Sequence, residues 1–203
     1  MGHQAHNHVQ TTTVIGKPIG GRQLAESDPN MVAAQREYKE VLASANILEG
    51  EQIKPRLKSF LDRHPDYPPA LRLQGLLLEH EISEDVAQGF DIPPYDSRTE
   101  KMRRSFEAAL QSDPRYVLVL IDLGDYWKDY GGDCEQTIQW YDRAIELLKG
   151  GHFTENHSDE IKDAYARKID ALIELGKIHE ANNCKRCAMN DCKDDDYFKN
   201  LRI

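Results

Sequence analysis

The sequence has no long apolar run. Its longest, Val117 to Ile121, falls far short of the roughly 18 residues that a membrane-spanning helix needs, so no membrane partner is expected. It also lacks any excess of cations: Lys and Arg total 26 against 35 Asp and Glu, a formal charge of -9. That balance argues against nucleic acid, whose binding needs clustered Lys and Arg to displace counterions from phosphate. A neutral or basic protein partner suits it better. Cysteines number four. The N-terminus has neither the apolar core of a secretory signal nor the Ser or Thr that myristoylation requires at position 6, which is His6. Reduced thiols and a cytoplasmic location are the expectation.

Catalytic motifs are missing as well. His80-Glu81 and His179-Glu180 each lack the second histidine of a zinc-peptidase helix, and no G-x-S-x-G elbow occurs. Ile15 to Arg22 (IGKPIGGR) lacks the spacing of a phosphate loop. His179, Cys184, Cys187 and Cys192 are metal-ligating types lying close in sequence. Structural zinc, however, uses four ligands in two separated pairs, and Cys-x2-Cys inside a regular helix lacks the turn that converges both sulfurs. Small packed thiols are therefore expected. His3, His6 and His8 could hold a transition metal, but without a rigid frame such affinity is incidental. The reading is a protein without cofactor or metal and without enzymatic activity.

What the chain does contain is helical punctuation. Residues 1–26 show no helical period and read as a flexible tail. Ser27-Asp28-Pro29 caps a first helix that Gly50 stops. A second helix spans about Glu51 to His64, and a third opens at Pro68-Pro69. A stretch at 83–97 begins by extending the third helix, then meets Pro93-Pro94, which forbids continuation. Ser97-x-x-Glu100 forms a capping box for the fourth. The fifth opens at Asp113-Pro114 and runs to about Tyr130, and Gly131-Gly132 turns into the sixth. A polar linker leads to the seventh, about Asp159 to Leu175, and the eighth ends near Asn190. Residues 193–203, with Asp194-Asp195-Asp196, read as an acidic tail.

The helices repeat. Ile53, Leu57, Phe60, Pro65, Leu71, Gly75 and Leu78 recur 49 positions later as Met102, Phe106, Ala109, Pro114, Leu120, Gly124 and Trp127. The first three of that second set recur 35 positions on, as Thr137, Tyr141 and Ala144. The pattern resembles the tetratricopeptide (TPR) repeat, a helix-turn-helix of about 34 residues. Against that period, the first spacing contains an insertion of fifteen, placed at 83–97, and the second contains one extra residue, placed at the glycine pair. Ile169 and Lys185 depart from the pattern, so the last pair is degenerate.

The resemblance implies an all-α fold: an α-solenoid of about eight helices in antiparallel pairs over residues 27–192, wound as a right-handed superhelix. Gly75 and Gly124 would let paired helices approach, while Phe106, Trp127 and Tyr141 fill the space between pairs. It further implies protein or peptide binding in a concave groove lined by Arg72, Leu76, Glu79 and His80, by Ile121, Asp125, Lys128 and Asp129, and by Asp163, Ala166, Asp170 and Glu174. Some members of the family grip chaperone C-termini with Lys and Asn at fixed groove positions. Arg72 with Leu76 and Ile121 with Asp125 stand there instead, so that clamp is absent. Aspartates dominate the later groove and suit a basic segment. The competing function is a self-associating scaffold that uses the insertion, with Phe90, Ile92 and Tyr95, and the C-terminal helix. An enzyme with an unrecognised site ranks last.

Overall fold

The structure, a computed structural model, describes residues 29–45, 50–93, 96–150, 158–192 and 196–203. The Ser27-Asp28 cap, His3, His6, His8, the IGKPIGGR run and Tyr95 lie outside them. Every regular element among the described residues is helical. They are α1 (Pro29–Ala45), α2 (Gly50–Arg63), α3 (Pro68–Ala87), α4 (Ser97–Ser112), α5 (Val117–Tyr126), α6 (Cys134–Lys149), α7 (Ser158–Glu174), α8 (Ile178–Asp191) and α9 (Asp196–Asn200). Each packs on its neighbours in the chain, and α5 also touches α7. None of these helices is long and apolar enough to cross a membrane.

Local chemistry explains the boundaries. Pro68 and Pro69 occupy the first turn of α3, where a missing N–H costs no helical bond. The insertion does extend α3, to Ala87. Asp96, rather than Ser97, caps α4: its carboxylate accepts the Arg98 amide at 2.7 Å. Arg98 then fastens the end of α3 to the start of α4 by pairing with Asp85 at 2.6 Å and Asp96 at 2.8 Å. Asp133 caps α6, accepting the Glu135 and Gln136 amides at 3.0 Å each. The place expected for the extra residue of the second spacing, Gly131-Gly132, adjoins a local widening of the helix. Beyond α5, Trp127–Gly131 form a π-turn, which is one extra residue taken up by a wider helical turn.

The interior has two parts. The smaller joins α1, α2 and the start of α3 around Tyr38, Phe60 and Tyr67, whose rings lie 5.2–5.6 Å apart; Tyr38 also donates to the Pro69 carbonyl at 2.9 Å. The larger runs from α3 to the C-terminus and is built on a repeated contact. The Phe106 ring of α4 lies on Gly75 of α3, and the Tyr141 ring of α6 lies on Gly124 of α5. A side chain at either glycine would occupy the space of the ring, so each pair of helices approaches by pressing an aromatic onto bare backbone.

In the α7–α8 pair the sizes are exchanged: Ile169 and Leu172 on α7 are buried, and α8 offers Ala181 and Ala188. Lys185, standing where an aromatic was expected, donates to the Leu201 carbonyl at 2.6 Å. The aromatic bulk on this pair comes from Phe198 of α9, fully buried with its ring against Tyr165. Residues 196–203, within the stretch read as an acidic tail, are thus packed on the last pair.

Candidate functional site

The odd-numbered helices α3, α5 and α7 are joined by a chain of charged side chains. Arg72 of α3 grips Asp122 of α5 through two hydrogen bonds, 2.5 Å from Nε and 3.1 Å from Nη2. Arg167 of α7 pairs with Asp125 of α5 and, one turn back, with Asp163 at 3.0 Å. Lys128 meets Glu174 of α7 at 3.1 Å. Asp125 also accepts the Tyr141 hydroxyl at 2.6 Å, so a residue on the surface orients the ring pressed on Gly124.

Of the residues expected to form the groove, Arg72, Glu79, Asp125, Lys128, Asp129, Asp163, Asp170 and Glu174 belong to this surface. The other four have different surroundings, and one of them, Ala166, is partly buried against the larger core. Ile121 is 3% exposed and sits in the core. Leu76 is partly buried against that core. His80 is exposed and points to Glu84 on its own helix, 3.4 Å away. Asp122 and Arg167 were not anticipated. The spacing of Asp163 and Arg167, an acid four residues before a base, was a readable helix-face pair; their cross-helix partners had no local signal.

Counting Glu79, Asp122, Asp125, Asp129, Asp163, Asp170 and Glu174 against Arg72, Lys128 and Arg167, the surface carries seven carboxyls and three cations. The imbalance shows in the protonation of its members. Burial, then the nearby Asp122 and Asp125, push Glu79 up from 4.5 to about 7, with Arg167 opposing. Burial pushes Asp125 up to about 6 against the pull of Arg167 and Tyr141. Asp170 is also raised, first by burial and then by Glu174. On Lys128 burial opposes the charge, but Glu174, Asp129 and Asp125 outweigh it and hold the ammonium above its ordinary value. Glu79 makes no hydrogen bond or ion pair among the described residues.

A carboxyl raised in the folded state keeps a proton that the unfolded chain has already released. Glu79 therefore adds stability below its unfolded value, and that contribution is lost as pH rises towards and through about 7. Glu79→Gln is expected to remove this loss, leaving the variant more stable than the parent at pH 8 by on the order of 2 kcal/mol, with little difference at pH 4.5. Urea denaturation at the two pH values checks it. Equal or lower stability of the variant at pH 8 would show that Glu79 is not under this strain.

The cysteines are free thiols that differ in exposure. Cys184 is buried, which pushes its thiol up to about 11, whereas Cys187 is exposed and Cys192 intermediate. His179 is exposed. Among the described residues no group of three or more His, Cys, Asp or Glu is placed to hold a metal ion. No protein-family model matches the chain, and no curated protein does.

Proposed function

We propose that this chain is a non-enzymatic, TPR-like interaction module of the cytoplasm whose α3–α5–α7 surface holds a basic peptide or protein segment. The observation that carries this reading is Glu79: a carboxyl that makes no hydrogen bond or ion pair among the described residues and is raised to about 7 by burial and by Asp122 and Asp125, with only the charge of Arg167 opposing. A Lys or Arg side chain delivered by a ligand relieves that crowding, ionises Glu79 and gains a charge-assisted hydrogen bond. Affinity then rises with pH through about 7 and falls with salt, because much of the surface remains open to screening. The repeated Gly–aromatic contacts and the alternation of helices along the chain support the TPR-like reading, in which α3, α5 and α7 are the first helices of successive pairs.

Asp125 is unsuited to testing this surface, since replacing it also frees Tyr141. Asp129 and Asp170 are exposed and serve better. Asp129→Lys with Asp170→Lys is expected to weaken a labelled Lys- and Arg-rich peptide at least tenfold, measured by fluorescence anisotropy, while helical circular dichroism is unchanged. Retained affinity in a folded double variant removes the groove assignment. So does equal binding of the counterpart peptide carrying Glu at the basic positions.

A further inference from the structure

Away from the α3–α5–α7 surface, α2 and α4 stand apart over the outer side of α3 and leave a half-open cleft of roughly 400 Å³. It exists because α2 packs mainly with α1 and the start of α3 in the smaller core, while α4 belongs to the larger one. The floor is apolar, with Leu57, Leu71, Leu77 and Leu78. Both walls are basic. Lys54 and Lys58 lie one turn apart on α2, and Lys101 and Arg104 one turn apart on α4, with Glu81 the acid among them.

Three of these cations hold partners at 2.8 Å: Lys54 pairs with the half-buried Glu81 of the cleft, and Lys58 with Asp62 and Arg104 with Glu100 are exposed pairs. The two exposed pairs contribute little and exchange readily. Lys101 has no partner among the described residues. On a chain of charge -9, this is a local basic frame around an oily floor.

The same chain displays the complementary object. Phe90 and Val86, at the insertion, are 61% and 56% exposed, the highest values among the exposed large apolar side chains described. Residues 83–92 contain Glu84, Asp85 and Asp91 and no cation. Asp85 is engaged by Arg98, but Asp91 has no partner among the described residues and Glu84 has only the exposed His80. The insertion cannot fill its own cleft. The rigid helix α3 supplies both the floor and the root of the insertion, and carries Val86 about 12 Å past Leu78 at about 1.5 Å per residue.

We propose that the insertion of one molecule docks in the cleft of a second copy, with Phe90 on the leucine floor and Glu84 and Asp91 towards the basic walls. The contact joins unlike patches, so it closes as a reciprocal dimer or continues as a chain. Resting on one aromatic anchor and screened charges, it is weak and concentration-dependent.

Sedimentation equilibrium from about 10 μM to about 1 mM, the range of weak association, tests it. The parent protein is expected to gain average mass with concentration, less so at high salt. Phe90→Asp, and separately Lys58→Glu with Lys101→Glu, each raise the dissociation constant at least tenfold with helicity unchanged. Mixing the two variants restores association, since one retains the cleft and the other the insertion. A parent that stays monomeric throughout, a Phe90→Asp protein that associates like the parent, or a mixture of folded variants that stays monomeric overturns the proposal. None of these positions belongs to the α3–α5–α7 surface. Basic-peptide binding by the same variants reports separately on that surface.

Discussion

Gly124→Ala is expected to destabilise the protein by about 3 kcal/mol, and Gly75→Ala by about 2 kcal/mol, the sum of effects of opposite sign. In a helix interior alanine is ordinarily worth about 1 kcal/mol more than glycine, so propensity alone predicts a gain. Here the added methyl would stand 2.7 Å from Cδ1 of Tyr141 in one case and of Phe106 in the other. Both rings are essentially fully buried. Neither is a free side-chain end that can swing aside, and forcing atoms into a filled core costs about 1–3 kcal/mol. At Gly124 the ring is also held through its hydroxyl by Asp125, and tilting it sacrifices a bond to a charged group worth about 1.5–3 kcal/mol. Urea denaturation of both variants measures the losses. Phe106→Leu combined with Gly75→Ala should cost less than the two changes added separately, because the smaller side chain vacates the contested space. A rise in stability for either glycine variant would show that the close approach does not exist.

Arg167→Leu is expected to cost about 2–3 kcal/mol at pH 8, at or just below the usual cost of removing one partner of a buried pair. The side chains of Arg167 and Asp125 are 31% and 18% exposed, so water softens the loss. Asp125 is already raised to about 6 with Arg167 in place; without that cation it rises further. A carboxyl raised in the folded state contributes stability at low pH and loses it as pH climbs through its folded value. The deficit of Arg167→Leu should therefore shrink by more than about 1 kcal/mol between pH 8 and pH 5.5, as Asp125 takes up a proton. Adding Asp125→Asn should recover much of the deficit at pH 8. Equal deficits at both pH values would mean that Asp125 is not the group left uncompensated.

How far the sequence reveals these features depends on whether the signal is local. Helix-forming periods, proline starts and glycine stops lie within a few residues of one another, and they placed α1 to α8 close to where they are, though not α9. Gly75 recurs as Gly124 after 49 residues and Phe106 as Tyr141 after 35, which marked the small and large positions, but the repeat pattern set those rings between successive pairs, whereas each lies on the glycine of its own pair. The cap of α4 was misplaced by one residue: Asp96 and Ser97 are both good caps, and only the backbone geometry chooses. A similar slip put Ile121 rather than Asp122 on the groove-facing side of α5. Val117 to Ile121 is apolar on all sides, so it has no stripe from which to read rotation, and one residue along a helix turns a side chain by about 100°. The pairing of Asp125 with Arg167 spans 42 residues and leaves no short-range trace. The burial of Phe198 was equally hidden, because a lone aromatic in a charged run has no periodicity.

The division of the interior into two apolar clusters has a consequence for how the molecule comes apart. Among the described residues Leu61 packs against both clusters, and the bond from Tyr38 to the Pro69 carbonyl ties α1 to the start of α3. In a chain whose helices pack on their sequence neighbours, opening proceeds from an end and stops where cohesion is greatest. Detaching α1 and α2 exposes the smaller cluster alone and leaves the Gly75–Phe106 and Gly124–Tyr141 contacts closed. Amide protons of the leading hairpin should thus exchange with solvent sooner than those of α4 to α6. The first two helices are expected to detach transiently while the ion pairs that join α3, α5 and α7 stay closed.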